Sequence, residues 1–571
     1  MLDLVVKGGS LIDGTGAPAQ RADIGIRAGR VVAIGDVDEE AEQTIDADGR
    51  VVAPGFVDIH THYDAQVLWD PATTPSPLHG ITTVVGGNCG FTIAPIEPQD
   101  APYLTRMLAR VEGMPIEALE AGVSYDWRTF GEYLDRIEGK LAVNAGFLVG
   151  HSAIRCTVMH DDAVGNEATP AQVDTMRRVL GESLAAGGLG FSSSTSITHN
   201  DGEGNPVPSR AASRDEIVAL AGVCRDHPGT TLEFIPSIPP FTDEHTALMT
   251  DMSLAANRPL NWNILVPNAA RAEHAWKTLE CCSYAAEHGA RVIGLTIPEP
   301  MYVHISFRSG FVLDTIQGWE KPMALPPAEK LALLRDPSGR QRLREGAPRG
   351  AGFISNWSSY KVIETYAPEN AGIEGRTIGD IAAERGQDPF DCMLDIVVAD
   401  ELRTVLLPEV AGEDDASWLL RRDLWRDPRV LVGASDSGAH LDMLSTFTYA
   451  TRMIRNTVDR NLMPLEEAVH NLTDKPARLY GIRERGRVAP GWYADLVVFD
   501  PAAIRPRKVE WRNDLPGGAG RLYGEAEGIG HVVVNGTEIV RDNELTGGMP
   551  GTLLRSGRDT DTVEVPGSAT A

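Results

Sequence analysis

Eight short apolar runs punctuate the middle of this chain. In order they are VVAPGFVDIHTH, GITTVVGGNCG, LAVNAGFLVGHS, GGLGFSSSTS, GTTLEFIPS, PLNWNILVPN, ARVIGLTIP and RVLVGASDSGA. Each is four to eight apolar residues bounded by Gly, Pro, Asn or Ser, which is the pattern of a strand buried on both faces. Between several of them the period changes to that of an amphipathic helix, as in PAQVDTMRRVLGESLAAG and SRDEIVALAGVCRDH. Strand and helix in alternation predict a parallel sheet. Eight such units predict an α/β fold, a (β/α)8 TIM-like barrel, whose active site lies at the C-terminal ends of the strands.

The chain ends have a different texture. LDLVVKGGSLID, ADIGIRAGRVVAIG and the turn DADGR open the chain, and GWYADLVVFD and GIGHVVVNGTEIVRDNELTG come near its close. Short strands with Gly and Asp-Gly turns predict a small β-sandwich domain assembled from both termini, residues 1–53 and 480–555. The barrel then spans 54–479. More than a hundred residues, about 299–428, separate the seventh and eighth strands. They contain the helix candidates PPAEKLALLRD and TIGDIAAERGQDPFDCMLDIVV. An insertion at that end of a barrel is expected to cover the active site. The tail 556–571, closing on VPGSATA, is expected to be disordered.

A length of 571 residues suits two or more domains. The net charge of −28 argues against nucleic-acid and anionic-membrane partners. No run of 18 apolar residues predicts a membrane span, and MLDLVVKGG lacks the regions of a secretory signal. Six scattered Cys form no disulfide framework and fit a reducing cytoplasm.

The strand ends carry the candidate chemistry. His60 and His62 stand two apart, so on an extended backbone both imidazoles leave one face. With 14 His in the chain, chance supplies roughly 0.3 such pairs, so the spacing gains its weight from the strand it ends. Strand two ends at Cys89 in GGNCG, strand three at His151, and strand four in Ser192, Ser193 and Ser194. Glu233 is an acid inside the apolar run TTLEFIP, where a buried carboxylate needs a partner or a metal. Strand six carries Asn261 and Asn263; strand eight ends in Asp436, with His440 four residues later. His199 and His304 belong to no motif. Two His, an Asp and a thiolate suit zinc or a similar divalent ion. Such an ion lowers the pKa of its water to about 7 and polarises a carbonyl. Asp436, as general acid/base, can take the water's proton and pass it to a leaving nitrogen. Those parts suffice to hydrolyse an amide.

With these residues identified, the chain resembles the amidohydrolase superfamily, and within it the N-acyl-D-amino-acid deacylases. The resemblance runs through VVKGGSLIDGTG, PGFVDIHTH, GGNCG, LVGHSAIR, the SD strand end, NLTDKPARLYGI, GWYADLVVFD and VVVNG. It implies a metal-dependent hydrolase of the C–N amide bond of an N-acyl amino acid, of D configuration by analogy, holding one or two zinc or similar ions. It also implies Cys89 as a metal ligand. The family pattern expects histidines on strands five and six, where this chain has Glu233 and Asn263. The expected ligand set is therefore His60, His62, Cys89 and Asp436, with Glu233 as a substitute oxygen ligand. Asn263, His151, His440 and Arg308 are the expected substrate contacts, Arg308 for a substrate carboxylate. The alternatives are hydrolysis of another amide-like bond or an ester (a lactam, carbamate or cyclic imide), or a non-catalytic barrel subunit or scaffold. The expected partner is a small-molecule substrate, and a homo-oligomer is left open.

Overall fold

The computed structural model describes residues 1–310, 312–346 and 355–566. Eight strand positions organise the body: β1 (Phe56–Asp58), β2 (Ile81–Gly86), β3 (Asn144–Phe147, resuming as Val149–Gly150), β4 (Gly190–Ser194), β5 (Thr231–Ile235), β6 (Leu260–Leu265), β7 (Val292–Thr296) and β8 (Val430–Val432). β1, β2 and the first part of β3 form one parallel sheet. The second part of β3 begins a parallel six-stranded sheet that continues through β4, β5, β6, β7 and β8 in sequence order. Only Leu148 lies between the two parts of β3. At the other side, Asp436 N–H donates to His60 O at 3.1 Å and His62 N–H to Ser437 O at 2.7 Å, so the loop after β8 bonds to the loop after β1.

The strands read as nearly continuous apolar runs because they are covered on both sides. Ile81, Val84, Val85, Leu232, Phe234, Leu260, Trp262 and Leu295 are fully buried. The intervening helices follow their sequence signals. Pro170–Ala185 starts with Thr169 and Gln172 capping each other's backbone and with Pro at its first position. It buries Met176, Leu180 and Leu184, each side chain contributing about 1.5–3 kcal/mol by leaving water. Arg214–Val223 is capped by Ser213, and Asp243–Ala256 follows β5.

Both chain ends meet in one nine-stranded mixed sheet. Leu2–Leu11 is its centre, pairing with Gln20–Arg27, Ala41–Asp46 and Val51–Pro54. The seam is the antiparallel pair Val51–Pro54 and Leu496–Phe499, beyond which lie Ile529–Val534, Thr537–Arg541 and Glu544–Leu545. Val6, Ile24, Ile26, Val52, Leu496, Val498 and Val533 make its own core. A buried polar network ties this sheet to the body. Asp495 pairs with Arg485 and accepts from Asn144 of β3 at 3.0 Å and from the Asn535 backbone at 2.8 Å.

The insertion between β7 and β8 has its own core of Ile305, Phe307, Trp319, Tyr360, Phe390, Met393, Ile396 and Leu406. It contains a small antiparallel sheet and the helices Pro327–Arg335, Ile378–Arg385 and Pro389–Ala399. Its foot rests on the segment after β8: Val303 bridges to Leu444, and His304 N–H donates to Met443 O at 2.8 Å. The expectation of a disordered tail from 556 is overturned as far as 566. Thr560 donates to Gly229 O at 2.7 Å, Asp561 pairs with Arg483 at 2.6 Å, and Val565 is buried. These bonds and that burial offset the ordering entropy. Residues 567–571 lie outside the described chain. No helix among the described residues is long and apolar enough to cross a membrane. All six cysteines are free and buried.

Candidate metal centre

His60 and His62 follow β1 on extended backbone and present both rings to one side, centroids 5.3 Å apart. Their Nε2 atoms converge on Cys89 Sγ, at 3.5 Å from His60 and 3.8 Å from His62. Asp436 Oδ1 lies 3.4 Å from His60 Nε2 and 3.1 Å from His62 Nε2. Zinc bond lengths of about 2.0–2.3 Å at tetrahedral angles put N and S ligands about 3.6 Å apart, and N and O ligands about 3.4 Å apart. Each histidine therefore stands at tetrahedral-ligand separation from both Cys89 and Asp436. His60, His62 and Cys89 form a buried metal-competent group by geometry alone.

Local sequence explains how they arrive there. After β2 the chain turns sharply through Gly87, Cys89 and Gly90, all with φ between +57° and +79°. Gly87 is required: a Cβ there would lie 2.3 Å from Leu148 O. Asn88 pins the turn to the segment after β1 and to β2 by donating to Thr61 O at 3.0 Å and Val85 O at 2.9 Å. After β8 the loop places Asp436 at φ +57°, a left-handed conformation that costs a non-glycine residue about 1–2 kcal/mol. Gly438 lets this loop approach the His62 backbone, where a Cβ would meet the carbonyl at 2.7 Å.

The serines of β4 each have a task. Ser192 Oγ accepts from Gly90 N–H at 3.0 Å and so braces the Cys89 turn. Ser193 Oγ meets His151 Nδ1 at 2.8 Å, and Ser194 Oγ meets His199 Nδ1 at 2.7 Å.

Glu233 stands behind Cys89. One carboxylate oxygen accepts from the Cys89 backbone N–H at 2.7 Å, and the other accepts from the Asn263 side-chain amide. With both oxygens engaged, it braces the turn from below, and the metal-competent group is His60, His62 and Cys89 without it. Asn263 lines the cavity beside it. His440 also lines the cavity, its Nε2 3.8 Å from Asp436 Oδ2.

Two expected substrate contacts are placed elsewhere. His151 is fully buried and saturated, with Ser193 on one nitrogen and Glu216 at 2.9 Å on the other; Glu216 in turn pairs with Arg155. It is a core histidine within a closed polar network. Arg308 is exposed, with its backbone N–H on Ser306 Oγ at 3.1 Å, and is not among the cavity-lining residues.

Of two further residues at the site, Glu112 went unnoticed in the sequence and His199 was given no role there. Glu112 is buried with a carboxylate oxygen 3.2 Å from His62 Nδ1. It caps the C-terminus of the helix Ala101–Val111, where the helix dipole disfavours an anion. That mismatch was the available signal. His199 lines the cavity, its ring 5.0 Å from that of Phe91. Nothing but its distance from β4 marked it.

The electrostatics suit a cation. Burial pushes the Glu112 and Glu233 carboxyls up to about 8, Asp58 to about 7 and Asp64 to about 6. Burial would raise Asp436 as well, but its bonds to His60 and His62 hold it well below the usual carboxylate range. Burial alone would lower His62, yet Glu112 and Asp436 raise it to about 10. Burial lowers His60 and takes His199 down to about 3, and it raises the Cys89 thiol. Acids gathered in such a low-dielectric site await a positive charge. The cavity above the group measures about 80 Å³, and its remaining wall is Val111, Ile235, Ile264, Ile297, Met301 and Ala434.

The Amidohydrolase family model matches residues 43–309 and 363–540, well over half the chain, and the skipped stretch falls inside the insertion. The D-aminoacylase of Alcaligenes xylosoxydans xylosoxydans is 29% identical over 562 residues, covering 97% of each chain. The N-acyl-D-aspartate deacylase of the same organism is 30% identical, covering 97% of this chain and 95% of its own. A crystal structure of D-aminoacylase matches with a TM-score of 0.63 at 26% identity, over 97% of this chain and 100% of that one. The N-acyl-D-glutamate deacylase of Bordetella bronchiseptica, solved with zinc and a phosphonate mimic of the tetrahedral intermediate, matches with a TM-score of 0.62 at 25% identity, over 97% and 100%. A D-aminoacylase with a binuclear metal centre, activated by one metal and attenuated by a second, matches equally well.

Proposed function

This chain belongs to the amidohydrolase family, and from that premise we propose that it hydrolyses the C–N amide bond of N-acyl-D-amino acids. The observation that carries the reading is the convergence of His60 Nε2, His62 Nε2 and Cys89 Sγ, with an Asp436 oxygen at ligand spacing from both histidines. The deacylases similar to this chain act on N-acyl-D-amino acids, which supports the substrate class. A zinc or similar divalent ion, one or two per chain, would be held by these four residues, and when bound it acidifies water and polarises a carbonyl.

The remaining chemistry belongs to the chain. Asp436, held ionised, faces His60 and His62 with one oxygen and His440 with the other. It accepts the proton of the attacking water and returns it to the leaving nitrogen. Glu112 orients His62 through Nδ1, and Glu233 with Ser192 fixes the turn that carries Cys89. Asn263, His199 and His440 offer polar contacts to the substrate along the cavity wall.

The same reading takes the eight parallel strands as a closed (β/α)8 barrel, supported by the bonds between the loops after β8 and β1. It takes the terminal sheet as a β-sandwich domain and the insertion as a cover over the cavity, supported by Met301 in the cavity wall. Free, buried cysteines support a reducing cytoplasm.

The test is chelation. Protein stripped of metal is expected to lose hydrolysis of N-acetyl-D-amino acids and to regain it with zinc. Full activity in a metal-free preparation refutes the reading.

A further inference from the structure

Asn263, on β6, lines the cavity together with His60, His62, Cys89 and Asp436, and is only 3% exposed. Its side-chain nitrogen donates to one oxygen of Glu233, whose other oxygen accepts from the Cys89 backbone N–H at 2.7 Å. A single carboxylate therefore joins Asn263 to the turn that carries Cys89. The same bond fixes which way the Asn263 amide points. Reversed, the amide would set its oxygen against a carboxylate oxygen, and two acceptors cannot pair. Nδ2 is thus committed to Glu233, and Oδ1 is the half of the amide left to meet a ligand. Oδ1 is buried, and among the described residues no group donates to it. Other buried side-chain oxygens near the centre also have no donor, among them those of Asp58, Asp64 and Asn88, but none of these residues lines the cavity. Asn263 alone combines the two properties among the described residues. A buried acceptor without a donor is uncommon in a folded protein and marks a place where something outside the chain completes the bond.

The chemistry of the substrate says what that is. An N-acyl derivative of leucine carries acceptors at its carbonyl and carboxylate and a single donor, the N–H of the reacting amide itself. That N–H is attached to the carbonyl carbon that must lie over His60, His62 and Cys89, in a cavity of about 80 Å³ whose wall includes Asn263. His199 and His440, also in the wall, can donate as well as accept, whereas Asn263 Oδ1 can only accept. We propose that Asn263 Oδ1 accepts the N–H of the scissile amide, and that this contact makes the chain select secondary amides over esters of the same shape. The inference rests on the amide-hydrolase reading and names the class of acyl compound the site prefers. An ester places an oxygen where the amide has its N–H, so the buried acceptor would face a second acceptor and lose its only partner. A site built to hydrogen-bond one substrate group rejects the analogue that lacks it.

The experiment uses the full-length, zinc-loaded protein with N-acetyl-D-leucine and its oxygen counterpart, the acetate ester of D-2-hydroxy-4-methylpentanoate, which differ only in N–H against O. Binding is measured by calorimetry on the Asp436→Asn protein, where turnover is removed. The amide is expected to bind about 10- to 100-fold more tightly than the ester. Adding Asn263→Leu, which removes the acceptor at similar volume, should bring that ratio towards one. With Asp436 intact, Asn263→Leu should lower the amide-to-ester ratio of kcat/KM by a similar factor, and the greater intrinsic reactivity of the ester cancels in that comparison. An Asn263 that only braced Glu233 would weaken both compounds alike and leave the ratio unmoved. Equal affinities in the Asp436→Asn protein, or a ratio that Asn263→Leu leaves intact, overturn the assignment. Hydrolysis of neither compound by the zinc-loaded wild type removes the amide-hydrolase reading instead. Hydrolysis of both with equal affinities keeps that reading and removes the Asn263 contact alone.

Discussion

Glu112 offers the sharpest test of how the centre is built. Its carboxylate meets His62 Nδ1 at 3.2 Å in a buried setting, while Nε2 of the same ring faces Cys89 and Asp436. A carboxylate in that position orients the ring and raises its basicity towards a metal. Glu112→Gln keeps the volume and one acceptor but removes the charge. A hydrogen bond to a charged group is worth about 1.5–3 kcal/mol, and each 1.36 kcal/mol is one decade. Zinc affinity is therefore expected to fall about 10- to 100-fold. The measurement is competition for zinc between stripped protein and a fluorescent chelator at fixed pH and ionic strength, with exposed Glu117→Gln as the control. Activity of Glu112→Gln should return with excess zinc, because the proton-transferring group is untouched. A dissociation constant within threefold of wild type, or an equal loss in the control, refutes the argument.

Asp436→Asn is expected to bind zinc yet lose about 10²–10⁴-fold in kcat, measured with metal content on the same sample; near-normal turnover would remove Asp436 from proton transfer. His151→Leu strips partners from buried Ser193 and Glu216; it should cost about 2–4 kcal/mol in urea unfolding while kcat per folded molecule stays near wild type. Asp427 is held below the usual carboxylate range by its hydrogen bonds to Arg429 at the entry to β8. A depressed folded pKa gives stability that is present above the unfolded value, near 4, and lost as pH falls through the folded one. The stability gap between wild type and Asp427→Asn should thus be open at pH 6 and close below pH 4 in denaturant titrations.

Parts of the site that depend on local chemistry were legible in the chain. His60 and His62 share a face because of strand geometry, Cys89 sits where Gly-rich sequence demands a tight turn, and Asp436 closes an apolar run. Glu233 stood out as an acid in a buried strand, but its partners did not. Whether such a group reaches an ion or a backbone amide is decided by groups 30 and 144 residues away, the Asn263 side chain and the Cys89 backbone N–H. The same limit explains His151. A histidine at a strand end looks like a ligand until Glu216, from a helix after the next strand, saturates it. Glu112 and His199 enter the site from a helix end and a long loop, elements that no periodicity connects to the strands. The tail was misjudged because polar composition says nothing of the groove against Gly229 and Arg483 that receives it.

The terminal sheet has a consequence for how the protein is made. Its seam joins Val51–Pro54 to Leu496–Phe499, about 440 residues apart in the chain. At roughly 5–20 residues per second, a ribosome needs roughly 20–90 s to deliver the second strand after the first. Throughout that interval Val51–Pro54 presents an unpaired edge, flush against the segment that becomes His60 and His62. The strand just ahead of β1 thus keeps an open edge until most of the chain has been made. Nascent chains stalled before residue 496 should be markedly more prone to associate than those released complete.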